Sequence, residues 1–83
     1  MRGVVYKANP PRGMVAIYTD EQGFTIIEVT DETTFEIGDQ VQWEHSLNMG
    51  GETYRNLTKG IDVDVFVQNH GVSQQDLPQQ LLM

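Results

Sequence analysis

The feature that most constrains this chain is a period of two. In Asp62-Val63-Asp64-Val65-Phe66-Val67 the valines Val63, Val65 and Val67 fall on one face of an extended strand, and Asp62, Asp64, Phe66 and Gln68 on the other. Shorter runs rich in β-branched and aromatic residues precede it, at Arg2 to Lys7, Gly13 to Tyr18, Phe24 to Val29, Gln40 to Glu44 and Tyr54 to Thr58. Between them stand Asn9-Pro10-Pro11-Arg12-Gly13, Asp20-Glu21-Gln22-Gly23, Ile37-Gly38-Asp39 and Asn48-Met49-Gly50-Gly51. These residues preset φ, accept positive φ or bond their own backbone, and so mark turns. Strands recur about every ten residues, and no helical period occurs before residue 72. The pattern excludes a βαβ arrangement and predicts an all-β fold, a small barrel of five to six strands.

A chain of 83 residues holds one domain and one small core, and at 39% hydrophobic and 20% charged it belongs with globular sequences. The barrel is expected over 1–72, followed by a C-terminal tail at 73–83. Ser73 precedes Asp76 by three residues, as in a capping box with Asp in place of Glu. Pro78 lacks the N–H that a continuing helix needs, so the tail is expected to be one helical turn at most, or disordered. Its apolar end, Leu81-Leu82-Met83, is expected either to dock on the barrel or to meet a partner.

Two blocks carry a family resemblance. The first is Met1-Arg2-Gly3, Asn9, Arg12-Gly13 and Ile17; the second is Gly38, Val41, Trp43, Glu44, Gly51, Asn56, Thr58 and Lys59. Each resembles, without a gap, bacterial cold-shock domains, the second ending like the family's Asn-Val-Thr-Lys pattern with Leu57 in the Val place. The resemblance covers most of 1–60 and implies a five-stranded OB-fold barrel there, with 61–72 as an added strand. It also implies a stacking platform for single-stranded nucleic acid on strands one to three, each stacked base being worth about 1–3 kcal/mol. The sequence departs from the family at that platform. Lys7 stands where the resemblance would put Trp, Met14 and Ala16 where it would put two Phe, and Ile26-Ile27-Glu28 in place of an aromatic and His run. Losing three or more such positions removes roughly 3–9 kcal/mol, enough to erase micromolar binding. The resemblance therefore supports the fold better than the activity.

Charge points the same way. Five cations, Arg2, Lys7, Arg12, Arg55 and Lys59, face twelve carboxylates, for a net charge of −7. Nucleic acid is disfavoured by that average and needs a local patch: Lys7, Arg12, Arg55 and Lys59 gathered on one face with Met14, Tyr18 and Tyr54. The other arrangement is scattered, solvated charge beside carboxylates. Tyr6, Tyr18 and Tyr54 offer rings for stacking or amphipathic cover for the barrel, and Trp43, in phase with Val41, belongs to the core.

Catalytic and metal chemistry find little footing. There is no cysteine, and His45 and His70 have no partner at metal-ligand spacing. Asp20-Glu21 and Asp31-Glu32 are turn carboxylates, Asp62 and Asp64 share a strand face, and Gly50-Gly51 lacks the Lys-Ser/Thr of a phosphate loop. Ser46 and Ser73 have no evident activating base, and so small a chain leaves little room for a pocket above about 300 Å³. No enzyme activity, metal or cofactor is expected. The apolar patch in Met1 to Lys7 is too short for a signal peptide or a span, so the expectation is a cytoplasmic chain without a membrane partner. An OB barrel is only partly closed, and an added strand would cover its edge or pair with a second copy. The expected function is a protein-interaction or self-assembly module. Its contacts, to a second copy or a protein partner, come from Val63, Val65, Val67, Leu77, Leu81 and Leu82; single-stranded nucleic-acid binding is the alternative.

Overall fold

The turn signals lie between strands or at their starts, and the strands close on themselves. The computed structural model describes residues 1–44 and 47–83. Its strands are β1 (Arg2–Asn9), β2 (Met14–Thr19), β3 (Gly23–Glu28), β4 (Gln40–Gln42), β5 (Gly50–Asn56) and β6 (Ile61–Val72). They form an all-β closed barrel in the order β1-β2-β3-β6-β5-β4, every pairing antiparallel. Among the described residues no helix is long and apolar enough to cross a membrane.

Two glycines set how closely the chain can approach itself. A β-carbon on Gly3 would lie 2.5 Å from Ile17 Cγ2 and 2.6 Å from the Tyr18 carbonyl oxygen, so β1 and β2 meet too closely there for any side chain. Gly13 follows a single 3₁₀ turn, Pro10–Arg12, at φ 67°, and a β-carbon there would collide with the Val29 carbonyl. Its own carbonyl accepts the Val29 N–H at 2.8 Å. Both glycines belong to the block that resembles cold-shock domains, and both serve backbone contacts.

β6 is longer than its alternation suggests. Its first half pairs with β5, from Ile61 opposite Asn56 to Val67 opposite Gly50, and its second half with β3, from Phe66 opposite Glu28 to Val72 opposite Phe24. Two irregularities in the β3 ladder absorb the turn of the barrel wall. The strand beyond residue 60 is thus a stave that joins β3 to β5. In the closed barrel each strand has a neighbour on both sides, although the short β4 pairs only with Arg2 to Val4 of β1 and with Arg55 and Asn56 of β5. Gly50-Gly51, expected as a turn, instead opens β5, with Gly51 directly opposite Phe66.

Inward-facing residues fill the barrel. Val5, Val15, Ile17, Ile27, Val41 and the valines Val63, Val65 and Val67 surround Trp43 and Tyr54, whose rings stack 4.5 Å apart and 2° from parallel. Burial, with the Glu52 carboxylate adding to it, pushes the Tyr54 hydroxyl well above the usual tyrosine range. Trp43 Nε1 and the Tyr54 hydroxyl have no hydrogen-bond partner among the described residues.

One end of the barrel is closed by polar bonds. Asn56 Nδ2 donates to Asp39 Oδ2 at 2.7 Å and to the Thr34 carbonyl at 2.9 Å, and Asn56 Oδ1 accepts the Lys59 N–H at 3.0 Å. Lys59 Nζ bonds Glu36 Oε1 at 2.9 Å and lies 3.4 Å from Asp39 Oδ2. Burial pulls the Asp39 carboxyl up, but the Asn56 amide, the Glu36 N–H and Lys59 outweigh it and hold the group below the usual carboxylate range. Lys59 is held above its ordinary value, first by its bond to Glu36 and then by the Asp39 charge, against some desolvation.

A second core lies outside the barrel. Met14, Ala16, Phe24, Ile26 and Val72 point away from the interior and are covered by Leu77 and Leu81 of the C-terminal segment. That segment leaves β6 through Ser73 in an extended conformation, makes a 3₁₀ turn at Gln74–Asp76 and one α-helical turn, α1, at Leu77–Gln80. The expected capping box does not form: Ser73 Oγ donates to Asp76 Oδ2 at 3.0 Å and caps no backbone N–H. Pro78 is accommodated because the helix begins at Leu77, so its missing N–H falls in the first turn, where no ladder bond is due.

Candidate interaction face

The outer surface of β1, β2 and β3 reads as cross-strand rows. One row runs Gln40, Val4, Tyr18, Phe24, Val72; the next, Lys7, Ala16, Ile26, Asn69; the next, Asn9, Met14, Glu28, Phe66, Gly51. Between Val5 and Lys7 the β1 register slips by one residue, so Tyr6 is an extra residue in β1. The C-terminal segment lies across the centre of this face. Asn9 Nδ2 donates to the Leu81 carbonyl at 2.8 Å, Gln74 Nε2 to the Tyr6 hydroxyl at 2.9 Å, and Asn69 Nδ2 to Gln80 Oε1 at 3.4 Å.

At the margin of the covered area three apolar side chains stay in solvent: Val4 is 42% exposed, Tyr6 45% and Tyr18 44%. Both tyrosine rings lean on the buried ring of Phe24, with centroids 5.1 and 5.4 Å from it. The result is a rigid aromatic strip whose hydroxyls can hydrogen-bond while its faces bury.

The other residues singled out in the sequence are dispersed. Met14 and Tyr54 are buried, one under the C-terminal segment and the other inside the barrel, and neither offers a surface. Arg55 pairs with Asp62 at 3.0 Å across β5 and β6, and Lys59 belongs to the Asp39 cluster. Arg2 opens β1, whereas Arg12 ends the Pro10–Arg12 turn that follows the strand. Arg55 and Lys59 are thus engaged with carboxylates, Lys7 stands on β1, and Arg12 lines a groove with Asp31 and Glu32. The C-terminal contact set is also redistributed. Val63, Val65, Val67, Leu77 and Leu81 all face the chain's own two cores, and of that set Leu82 alone is exposed.

His45 and Ser46 lie outside the described residues. His70 bridges two elements, with Nδ1 2.9 Å from Thr25 Oγ1 and Nε2 2.9 Å from the Asn48 carbonyl, so Nε2 carries the proton in that contact. Asp31 accepts both the hydroxyl and the N–H of Thr33, which hold its carboxyl below the usual range. Two surface grooves exceed the size expected for so small a chain. One, of about 460 Å³, is lined by Trp43, Glu52, Arg55 and Asp62; the other, of about 610 Å³, by Arg12, Gly13, Asp31 and Glu32. Among the described residues no cluster of His and carboxylates has metal-binding geometry.

Alternation alone does not reveal the second core, yet the chain carries a signal of it. Met14-Val15-Ala16-Ile17 and Phe24-Thr25-Ile26-Ile27 are apolar on both strand faces, as strands covered on both sides are. Comparison with known protein families, curated proteins and solved structures finds no match for this chain.

Proposed function

We propose that this chain is a non-enzymatic interaction module, an OB-like barrel that self-associates through the outer face of β1, β2 and β3. The observation that carries the reading is the exposed strip of Val4, Tyr6 and Tyr18, backed by Phe24 and bordering the seated C-terminal segment. Tyrosine is enriched at interfaces because it buries a large rigid area at little entropic cost while keeping a polar tip. Sedimentation velocity is the test. The wild type should show reversible, concentration-dependent association up to about 1 mM, weakened at least about tenfold in Tyr6→Ser/Tyr18→Ser. A single monomeric species throughout, with unmoved Tyr6 and Tyr18 resonances, would overturn it.

A second reading rests on one observation: the exposed rings of Tyr6 and Tyr18 stand beside the cations Arg2 and Lys7 of β1. Single-stranded nucleic acid is the ligand that such a pairing suits. Anisotropy of a labelled single-stranded oligonucleotide at about 50 mM salt decides it, since phosphate contacts are strongest at low salt. No change across the titration removes this reading.

A further inference from the structure

The geometry points to exchange of the C-terminal segment between two copies: residues 73–83 of one chain seat Leu77 and Leu81 on Met14, Ala16, Phe24 and Ile26 of another, and the reverse. The inference rests on the self-association proposed above and names what the two copies trade.

Three observations carry it. First, the seat fits this segment, which in the single chain buries Leu77 to 2% and Leu81 to 0% exposure. An identical segment from a second copy meets the same complementarity, which is the condition for exchange at low cost. Second, departure breaks no ladder. The backbone bonds of the segment are internal, from Asp76 to Ser73, Leu81 to Leu77, Leu82 to Gln79 and Met83 to Pro78. Among the described residues its ties to the barrel are the two leucines, bonds from Asn9 to the Leu81 and Leu82 carbonyls, one from Asn69 to Gln80, and one from Gln74 to the Tyr6 hydroxyl. A helical turn of four residues has no stability away from a surface, so the segment folds where it finds a seat, its own or another's. Third, the link is short and straight. Ser73, at φ −78° and ψ 157°, is already extended, so a small change of direction there sends the segment outward. Meeting copies would then also cover Val4, Tyr6 and Tyr18 at the margin of the seat, burial that the single chain does not provide.

The competing arrangement is intramolecular docking, favoured by the high effective concentration of a tethered segment. Exchange therefore gains weight only as protein concentration rises, and it must be sought in the associated fraction.

The experiment mixes equal parts of isotope-labelled and unlabelled full-length wild type at the concentration where sedimentation shows the dimer, and records isotope-filtered NOEs. Contacts between the Leu77 or Leu81 methyls of one copy and Ile26 or Met14 of the other are expected. Because the seat contacts are the same in the single chain and in the exchanged dimer, Asn9→Ala, which loses the bonds to the Leu81 and Leu82 carbonyls in both, should shift the dimer Kd by less than about twofold and leave these NOEs in place. A dimer whose intermolecular NOEs reach Tyr6 and Tyr18 but not Leu77 or Leu81 overturns exchange and leaves the self-association reading standing. Absence of any dimer overturns both.

Discussion

The molecule has two apolar cores that differ in kind. The inner one draws Val5, Ile17, Ile27, Val41, Trp43, Tyr54 and the β6 valines from all six strands, and closing the barrel is what buries it. The outer one joins one side of three strands to a short segment that reaches it through Ser73. Loss of an inner contact is felt by every neighbouring strand, whereas loss of an outer contact is felt where the segment docks. The comparison teaches that burial by itself does not rank residues. Leu81 and Ile17 are both at 0% exposure, yet Leu81 belongs to a segment whose backbone bonds are internal, whereas Ile17 is paired in the sheet on both sides.

The largest expected effect breaks the inner core. Trp43→Ala removes a ring stacked on Tyr54 and should cost about 3–5 kcal/mol in urea unfolding, with all probes moving together. Next is the polar closure of the same core. Asn56→Ala leaves the Asp39 carboxylate, the Thr34 carbonyl and the Lys59 N–H each short of a partner, and should cost about 1–3 kcal/mol.

That closure also carries a pH dependence. Asp39 is held below its unfolded value of 3.8, so its stabilisation is present above that pH and is lost as pH falls through the lower, folded value. Urea midpoints measured downward from about pH 5 should fall in the wild type, with a shallower slope in Asp39→Asn. An equal slope would remove the carboxylate from the account.

Smaller effects belong to the outer core. Leu77→Ala and Leu81→Ala should each cost less than about 2 kcal/mol of global stability, below the usual range for a buried leucine, and the double variant should cost little more than either alone. Full additivity would make the two cores one. Smallest is Tyr6→Ser, expected to change stability by no more than about 0.5 kcal/mol while weakening association.

Much of the inner core was legible. The alternation of Val63, Val65 and Val67 marks an inward face, and Trp43 follows Val41 in phase. Both readings hold because a half-buried strand obeys a period of two. The outer core was harder to read, since its strands are apolar on both faces and periodicity cannot say what covers the second one. Leu77 and Leu81, four residues apart, were visible as an apolar pair, but that they return to their own barrel is a tertiary fact. The register slip that adds Tyr6 to β1 leaves no compositional trace. Asn56, Thr58 and Lys59, prominent in the resemblance, close the barrel end: Thr58 Oγ1 accepts the Gln40 N–H at 2.8 Å, as the other two bind Asp39.

The separability of the two cores is tested most directly by residue-resolved hydrogen exchange on the full-length wild type at low concentration. The Leu81 and Leu82 amides, bonded within the C-terminal segment, should exchange at least about a hundredfold faster than the barrel amides of Ile17 and Ile27, once corrected for intrinsic rates. Exchange of both sets at one common rate, set by global unfolding, would contradict it.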